Sequence, residues 1–440
     1  MLNMTRTVGF DFGTHQSKIC VEERISSNVS SYEFFKFRDA NGKEQYTLPS
    51  IIREDANGYL IYGYLPVKAV GRMAKIVNEM KSFLGGSTKQ QQGVIIRNFK
   101  QAVFTNVNNG MDRMDAVNYS IWYIANILFD LEEKYGHDFA IQMGVPSDGE
   151  HLNQQKKLAV RILLSACRLV EDVFENDKER FLSSTVADLK SRTEFVVYSK
   201  DLKEKLSILV FPEAYACLMP LIKSAKIATG MSLMVDIGGG TTDISFFTIM
   251  DGKPQVYDFY SIDKGLNFLA DAESLSVDRT DSNVRSASEI KEDRKSVFEK
   301  DVLGVCNELN IRLYKEFSKY PGLSSHKLTD ALKSRPLIYT GGGSTFESLR
   351  MAYFGFEDLI HVSDREWRSE SIREMDNITT LGLCPILSTA YGLSIGVPDD
   401  NIYCKPLKDI FSGLRDQIIE NESEQADEKF NYGEDRDAWK

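Results

Sequence analysis

The 440-residue sequence predicts a mixed α/β protein built from two related halves, and three glycine-bearing strand ends predict it. "TVGFDFGTHQSKICVEE" from Thr7 and "MVDIGGGTTDISFF" from Met234 both run strand, turn, strand, with Asp11 and Asp236 closing the first apolar run. "PLIYTGGGSTFESLR" from Pro336 is a third strand end, with a helical pattern after its glycines. A hairpin turn needs one or two residues able to take positive φ, so Gly238, Gly239 and Gly240 exceed the demand. Backbone amides bared in this way can converge on an anion. Taken alone, the segment also fits a glycine-rich turn in a buried sheet.

Along the chain, helical spacing of apolar residues predicts helices over Asp115–Lys134, Gln154–Val173 and Ser296–Phe317. "AIQMGVPSD" from Ala140 reads as a buried strand ending in a proline turn. "SILVFPEAYACLMPLI" from Ser207 reads as a strand entering a helix near Glu213. The polar stretches Glu175–Lys205 and Glu273–Lys295 read as surface insertions or subdomain edges. Residues Glu420–Lys440 carry eight acidic and three basic side chains, the pattern of a solvated tail, with partner binding as its functional alternative.

Composition narrows the function classes. A 42% apolar and 27% charged chain is that of an ordinary folded domain, and a net charge of −11 argues against a phosphate-backbone binder, so no nucleic acid is expected. The six cysteines include no C-x-x-C pair and the five histidines no metal-ligand spacing, which reads as buried free thiols in a reducing compartment. The N-terminus enters a strand at once, and the longest apolar-rich run, from Ile121, is broken by Asn126. A cytoplasmic protein with no membrane partner is the expectation.

Two Asp-ended hairpins and a third glycine turn, in that order and separated by helices, resemble the nucleotide-binding signature of the actin-like ATPase superfamily. Within it the chain is most similar to the ATPase domain of DnaK-type, seventy-kilodalton heat-shock chaperones. The matching segments are "GFDFGTHQSKICVE", "KSFLGG" at Lys81, "VPSD" at Val145, "PEAYA" at Pro212, "VDIGGGTTDIS" and "TGGGSTFESL", and they span about residues 7 to 397. The resemblance implies a two-lobed actin-like ATPase fold of duplicated ribonuclease H-like domains with a nucleotide cleft between lobes. Lobe I would cover 1–229, lobe II 230–397, and the acidic tail 398–440. About 43 residues follow Val397, so the expectation is a chain lacking the peptide-binding domain of such chaperones.

The resemblance also assigns roles. ATP or ADP with Mg²⁺ would occupy the cleft, with Asp11 and Asp236 holding metal-bound water, although either Asp could instead cap its own turn. Lys81 matches the catalytic lysine, Glu213 the carboxylate beside the attacking water, Thr241 a phosphate-contacting hydroxyl, and Asp243 the second carboxylate of its hairpin. Gly13, Thr14 and His15 in the first turn, with Gly238, Gly239, Gly240 and Thr242 in the second, would cradle the phosphates. Gly341, Gly342, Gly343 and Ser344 would pack the adenosine. The family's arginine after these glycines is replaced by Ser344, Thr345 and Phe346, and its E-x-x-K-x-x-L-S helix is missing between Gly265 and Arg335. Base specificity therefore stays open, with Phe346 a stacking candidate. Small residues Ala214, Ala216, Ala390 and Gly392 would let two helices cross closely between lobes.

A slowly hydrolysing switch that couples nucleotide state to lobe closure and to a protein partner or client is the function implied. The rivals are an actin-like filament-forming ATPase, in which the chain oligomerises, a small-molecule kinase, and a scaffold that binds nucleotide without turnover.

Overall fold

Strand β1 (Arg6–Asp11) carries Val8 and Phe10 fully buried and pairs antiparallel with β2 (Gln16–Arg24). The computed structural model describes residues 6–26, 29–39, 41–64, 93–104, 110–146, 151–223, 232–250, 253–270, 289–319, 336–351, 358–361, 367 and 371–397. β3 (Ser30–Phe34) adds antiparallel to β2. After helices α1 (Phe99–Phe104) and α2 (Arg113–Tyr135), β4 (Ala140–Val145) adds parallel to the other side of β1. α3 (Leu152–Arg168) then leads to β5 (Ile208–Pro212), parallel to β4, and α4 (Glu213–Lys223) follows directly. Parallel neighbours need such crossovers, because a strand's end must travel back before its partner can start.

α2 starts where Asp112 accepts hydrogen bonds from the N–H groups of Met114 (2.8 Å) and Asp115 (3.2 Å), and it stops at Gly136, whose φ of 75° ends the helical ladder. Its Ile121, Ile124 and Ile127 share one core with Val8, Phe10 and Phe12. The polar stretch from Glu175 folds into three short helices, Lys178–Leu182, Val186–Arg192 and Lys200–Lys205, anchored by buried Phe181 and Leu189.

The second sheet repeats the first. β6 (Ser232–Ile237), β7 (Thr242–Met250) and β8 (Lys253–Ile262) are antiparallel neighbours, and β9 (Pro336–Thr340) and β10 (Asp358–His361) add parallel on the far side of β6. α5 (Leu266–Ala270) and α6 (Glu292–Phe317) bridge β8 to β9. Five strands of each sheet run in the same order, 3-2-1-4-5 when numbered within themselves, two antiparallel pairings then two parallel ones, and the first sheet adds a sixth short strand, Leu48–Pro49, antiparallel to β2. The glycine segment after β9 departs from the helical pattern of its sequence: it forms two 3₁₀ turns, Gly342–Thr345 and Glu347–Leu349. Ser344 and Thr345 donate their hydroxyls to Gly341 O and Gly342 O (2.7 Å each), which competes with a helical ladder.

Two helices tie the sheets together. α4 follows the first sheet in the chain yet packs on β8, and α7 (Cys384–Ser394) follows the second yet packs on β1 and β2. A Cβ added to Gly9 would lie 2.3 Å from Ala390 O, and one added to Gly392 would lie 1.7 Å from Ala216 O, so backbone meets backbone at both contacts. Cys20, Tyr32 and Phe34 of the first sheet share a core with Met234 and Ile338 of the second and with Leu218, Leu387 and Tyr391 of the crossing helices. Ser371–Arg373 covers the outer edge of β3, with Tyr32 N–H donating to Ser371 O (2.7 Å) and Arg373 N–H to Tyr32 O (2.8 Å). Among the described residues no helix is long and apolar enough to cross a membrane, and Cys20, Cys167, Cys217, Cys306 and Cys384 are buried.

Candidate functional site

The first hairpin turn is built for a glycine: a Cβ on Gly13 would lie 2.1 Å from Gln16 O. Ser50 holds this turn from behind, its hydroxyl donating to Gly13 O (2.7 Å) and its N–H to His15 O (2.8 Å). In the second turn Gly238 N–H donates to Thr241 O (2.9 Å), while Leu266 N–H and Asn267 N–H donate to the carbonyls of Gly238 (3.0 Å) and Gly239 (2.9 Å). A trans peptide points its N–H opposite to its C=O, so the amides of Gly239 and Gly240 face away from α5. At the third turn Gly341 takes φ of 81°, and a Cβ there would sit 2.2 Å from Asp236 Oδ1.

These three turns meet around one cavity of about 120 Å³. Of the residues singled out from the sequence, Asp11, Gly13, Thr14, His15, Glu213, Asp236, Gly238, Gly239, Gly240, Thr241, Asp243, Gly341 and Gly342 line it. Thr242 and Ser344 are buried behind it, their hydroxyls given to Lys264 O (2.8 Å) and Gly341 O, and Gly343 packs on Ile237. Phe346 packs on the core of the second sheet. Lys81 lies outside the described residues.

Two cavity lysines escaped the sequence reading. Lys18 stands opposite Asp11 in the β1–β2 register and bonds its Oδ2 at 2.9 Å. Lys100, only 4% exposed, is paired with Glu213. A signal existed for each: Lys18 is a charge inside the buried strand run "QSKICV", and Lys100 one inside the apolar helix "FKQAVF".

Four carboxylates (Asp11, Glu213, Asp236, Asp243) thus share the cavity with two ammonium groups. Desolvation, with repulsion from Asp243 and Glu213, raises the Asp236 pKa to about 7. Burial also lifts Asp243, against hydrogen bonds from Ser261 and Thr241 and the charge of Lys100. Glu213 is lifted by burial in spite of Lys100. Burial works against the charge of Lys18, but the hydrogen bond and charge of Asp11 with the charges of Asp236 and Glu213 together outweigh it, and the pKa rises. The site lacks positive charge.

Among the described residues no three His, Cys, Asp or Glu side chains converge as direct metal ligands. The donor chemistry does fit Mg²⁺ held through water: carboxylate oxygens are hard donors, and the ion retains several waters of its octahedral shell.

The Asp236 shift has a stability consequence. Between its ordinary 3.8 and about 7 the folded chain holds a proton that the unfolded chain has released. Stability contributed by this group is therefore present below pH 3.8 and lost as pH rises through 7. Asp236→Asn is expected to raise the melting temperature at pH 8 and to flatten its fall between pH 5 and 8, measured in EDTA. An unchanged slope would remove Asp236 as its source.

No protein-family model matches the chain, and no curated protein matches it.

Proposed function

We propose that the cavity is the closed cleft of a slow ATPase, a nucleotide-driven switch of the kind found in DnaK-type chaperone ATPase domains, on a two-lobed actin-like fold of duplicated ribonuclease H-like halves. One observation carries this reading. Two sheets that share a five-strand order each present an Asp-ended hairpin, and both turns meet the third glycine turn around the four carboxylates and two lysines.

The residues suit phosphoryl transfer to water. The amides of Gly239 and Gly240, oriented by α5, offer donors to phosphate oxygens, and Lys18 and Lys100 supply charge where negative charge accumulates. Glu213, whose raised pKa makes it a better base than an exposed carboxylate, orients the attacking water and draws its proton. The water oxygen bonds to the γ-phosphorus, the bond from that phosphorus to the β,γ-bridging oxygen breaks, and ADP and phosphate leave. Thr241 places a hydroxyl beside the transferred group. Asp11 and Asp236 would hold Mg²⁺ through water, and the ion would neutralise phosphate charge when bound.

A cavity of about 120 Å³ is smaller than the roughly 300–1,000 Å³ of small-molecule pockets, so a nucleotide must part the halves to enter. The α4–α7 crossing is where such a motion would turn, and a protein partner reading the degree of closure completes the switch.

Phosphate release from Mg-ATP by the purified chain, beside Thr241→Val, tests the reading, with light scattering on the same samples. Slow turnover that falls at least tenfold in the variant, without scattering, is the expected result. Scattering on nucleotide addition would favour a filament, and binding without release would overturn the ATPase.

A further inference from the structure

His15 ends the first hairpin turn, but its side chain belongs to the second. A Cβ on Gly239 would come 2.6 Å from His15 Cδ2, and one on Gly240 would come 2.7 Å from His15 Nε2, so the imidazole lies directly on the glycine turn. Asn267 also meets the ring, its Nδ2 lying 3.1 Å from Nδ1 and 2.9 Å from Nε2. The same residue's backbone N–H holds Gly239 O at 2.9 Å. Imidazole, glycine turn and Asn267 therefore form a closed clasp between two segments 252 residues apart.

We propose that His15 is an internal gate on this cleft: its imidazole, clasped by Asn267, stands over the Gly239–Gly240 turn, and a phosphate group reaches the turn's amides only when the ring swings off. The gate rests on the nucleotide reading of the cleft given above. Three features support it. The glycines are bare where the ring lies, since any Cβ there would collide with it. The seated ring is uncharged at neutral pH, because burial and the nearby charges of Arg97 and Lys18 lower its pKa to about 4, so it adds no cation to the phosphate seat. The clasp is also imperfect: Asn267 Oδ1 is buried without a hydrogen-bond partner, an unmade bond that makes the closed arrangement easier to open.

A closed gate lowers apparent affinity by the fraction of molecules that stand open, and removing it restores the intrinsic value. His15→Ala and Asn267→Ala, the latter leaving the first turn's sequence intact, are compared with the unaltered chain in two measurements. Amide hydrogen exchange without ligand reads the clasp itself, and calorimetric binding of magnesium pyrophosphate and Mg-ATP reads the gate. Both variants are expected to exchange faster across residues 12–18 and 236–245. Both are expected to bind pyrophosphate about five- to tenfold more tightly, corresponding to a gate mostly closed at rest. Unchanged exchange in both variants would overturn the clasp. Faster exchange with equal or weaker binding would overturn the gate and leave His15 as a packing group or a ligand. If no protein, altered or not, bound either phosphate compound, the nucleotide reading would fail and the gate with it, while the exchange data would still report the clasp.

Discussion

Lys100→Met is expected to lower single-turnover phosphate release from Mg-ATP by about 10²–10³-fold, the usual cost of removing one preorganised donor from a charge-developing site. Lys100 is 4% exposed and its ammonium is committed to Glu213, which lines the same cavity. Removing it also leaves Glu213 buried without its counter-charge, and breaking a buried pair costs about 3–5 kcal/mol. Glu213 is 18% exposed and can take up a proton, so the loss should sit near the lower end of that range and shrink as the solution is acidified. The companion variant Lys100→Met/Glu213→Gln removes both charges. It should recover most of the stability in urea titrations at pH 8 and none of the turnover. Recovery of turnover in the double variant would reduce Lys100 to a counter-ion for Glu213 with no part in the chemistry.

The second large effect lies at the helix crossing. Gly392→Ala would place a methyl group 1.7 Å from Ala216 O, and the atom it meets is backbone, which no rotamer change can move. Overpacking of this kind costs about 3 kcal/mol, at the top of the usual range, because α4 and α7 must separate along with the sheets packed on them. Gly304→Ala is the control: it stands on α6 with open space around its Cβ position and should gain about 0.5–1 kcal/mol from helix propensity. Urea midpoints at constant slope measure both. A Gly392→Ala protein within about 0.5 kcal/mol of the unaltered chain would show that the crossing tolerates separation, and the hinge assigned to it would lose its basis.

Much of the site is legible in the sequence because turn chemistry is local. Gly13 and Gly341 stand where a Cβ would strike a carbonyl or a carboxylate, and Asp11 and Asp236 close apolar β-runs that are visible without coordinates. The same local logic misled at Gly341–Arg350, where an apolar spacing suited to a helix yields 3₁₀ turns because Ser344 and Thr345 bond back to glycine carbonyls. Lys18 and Lys100 left a weaker signal, for another reason. Each looks like one charge in an apolar run, and only a partner supplied by the fold gives it meaning.

By itself, then, the sequence determined two Asp-ended hairpins, a third glycine turn, helices between them and small residues where two helices cross. Tertiary structure alone decided that Lys18 and Lys100 enter the cavity that the turns share, that Lys100 faces Glu213 across 113 residues of chain, and that His15 rests on the glycines of the other hairpin. The physical reason is range. Backbone sterics and side-chain alternation act within a few residues and leave a pattern in the sequence, whereas charge pairing and ring packing depend on where two sheets come to rest against α4 and α7.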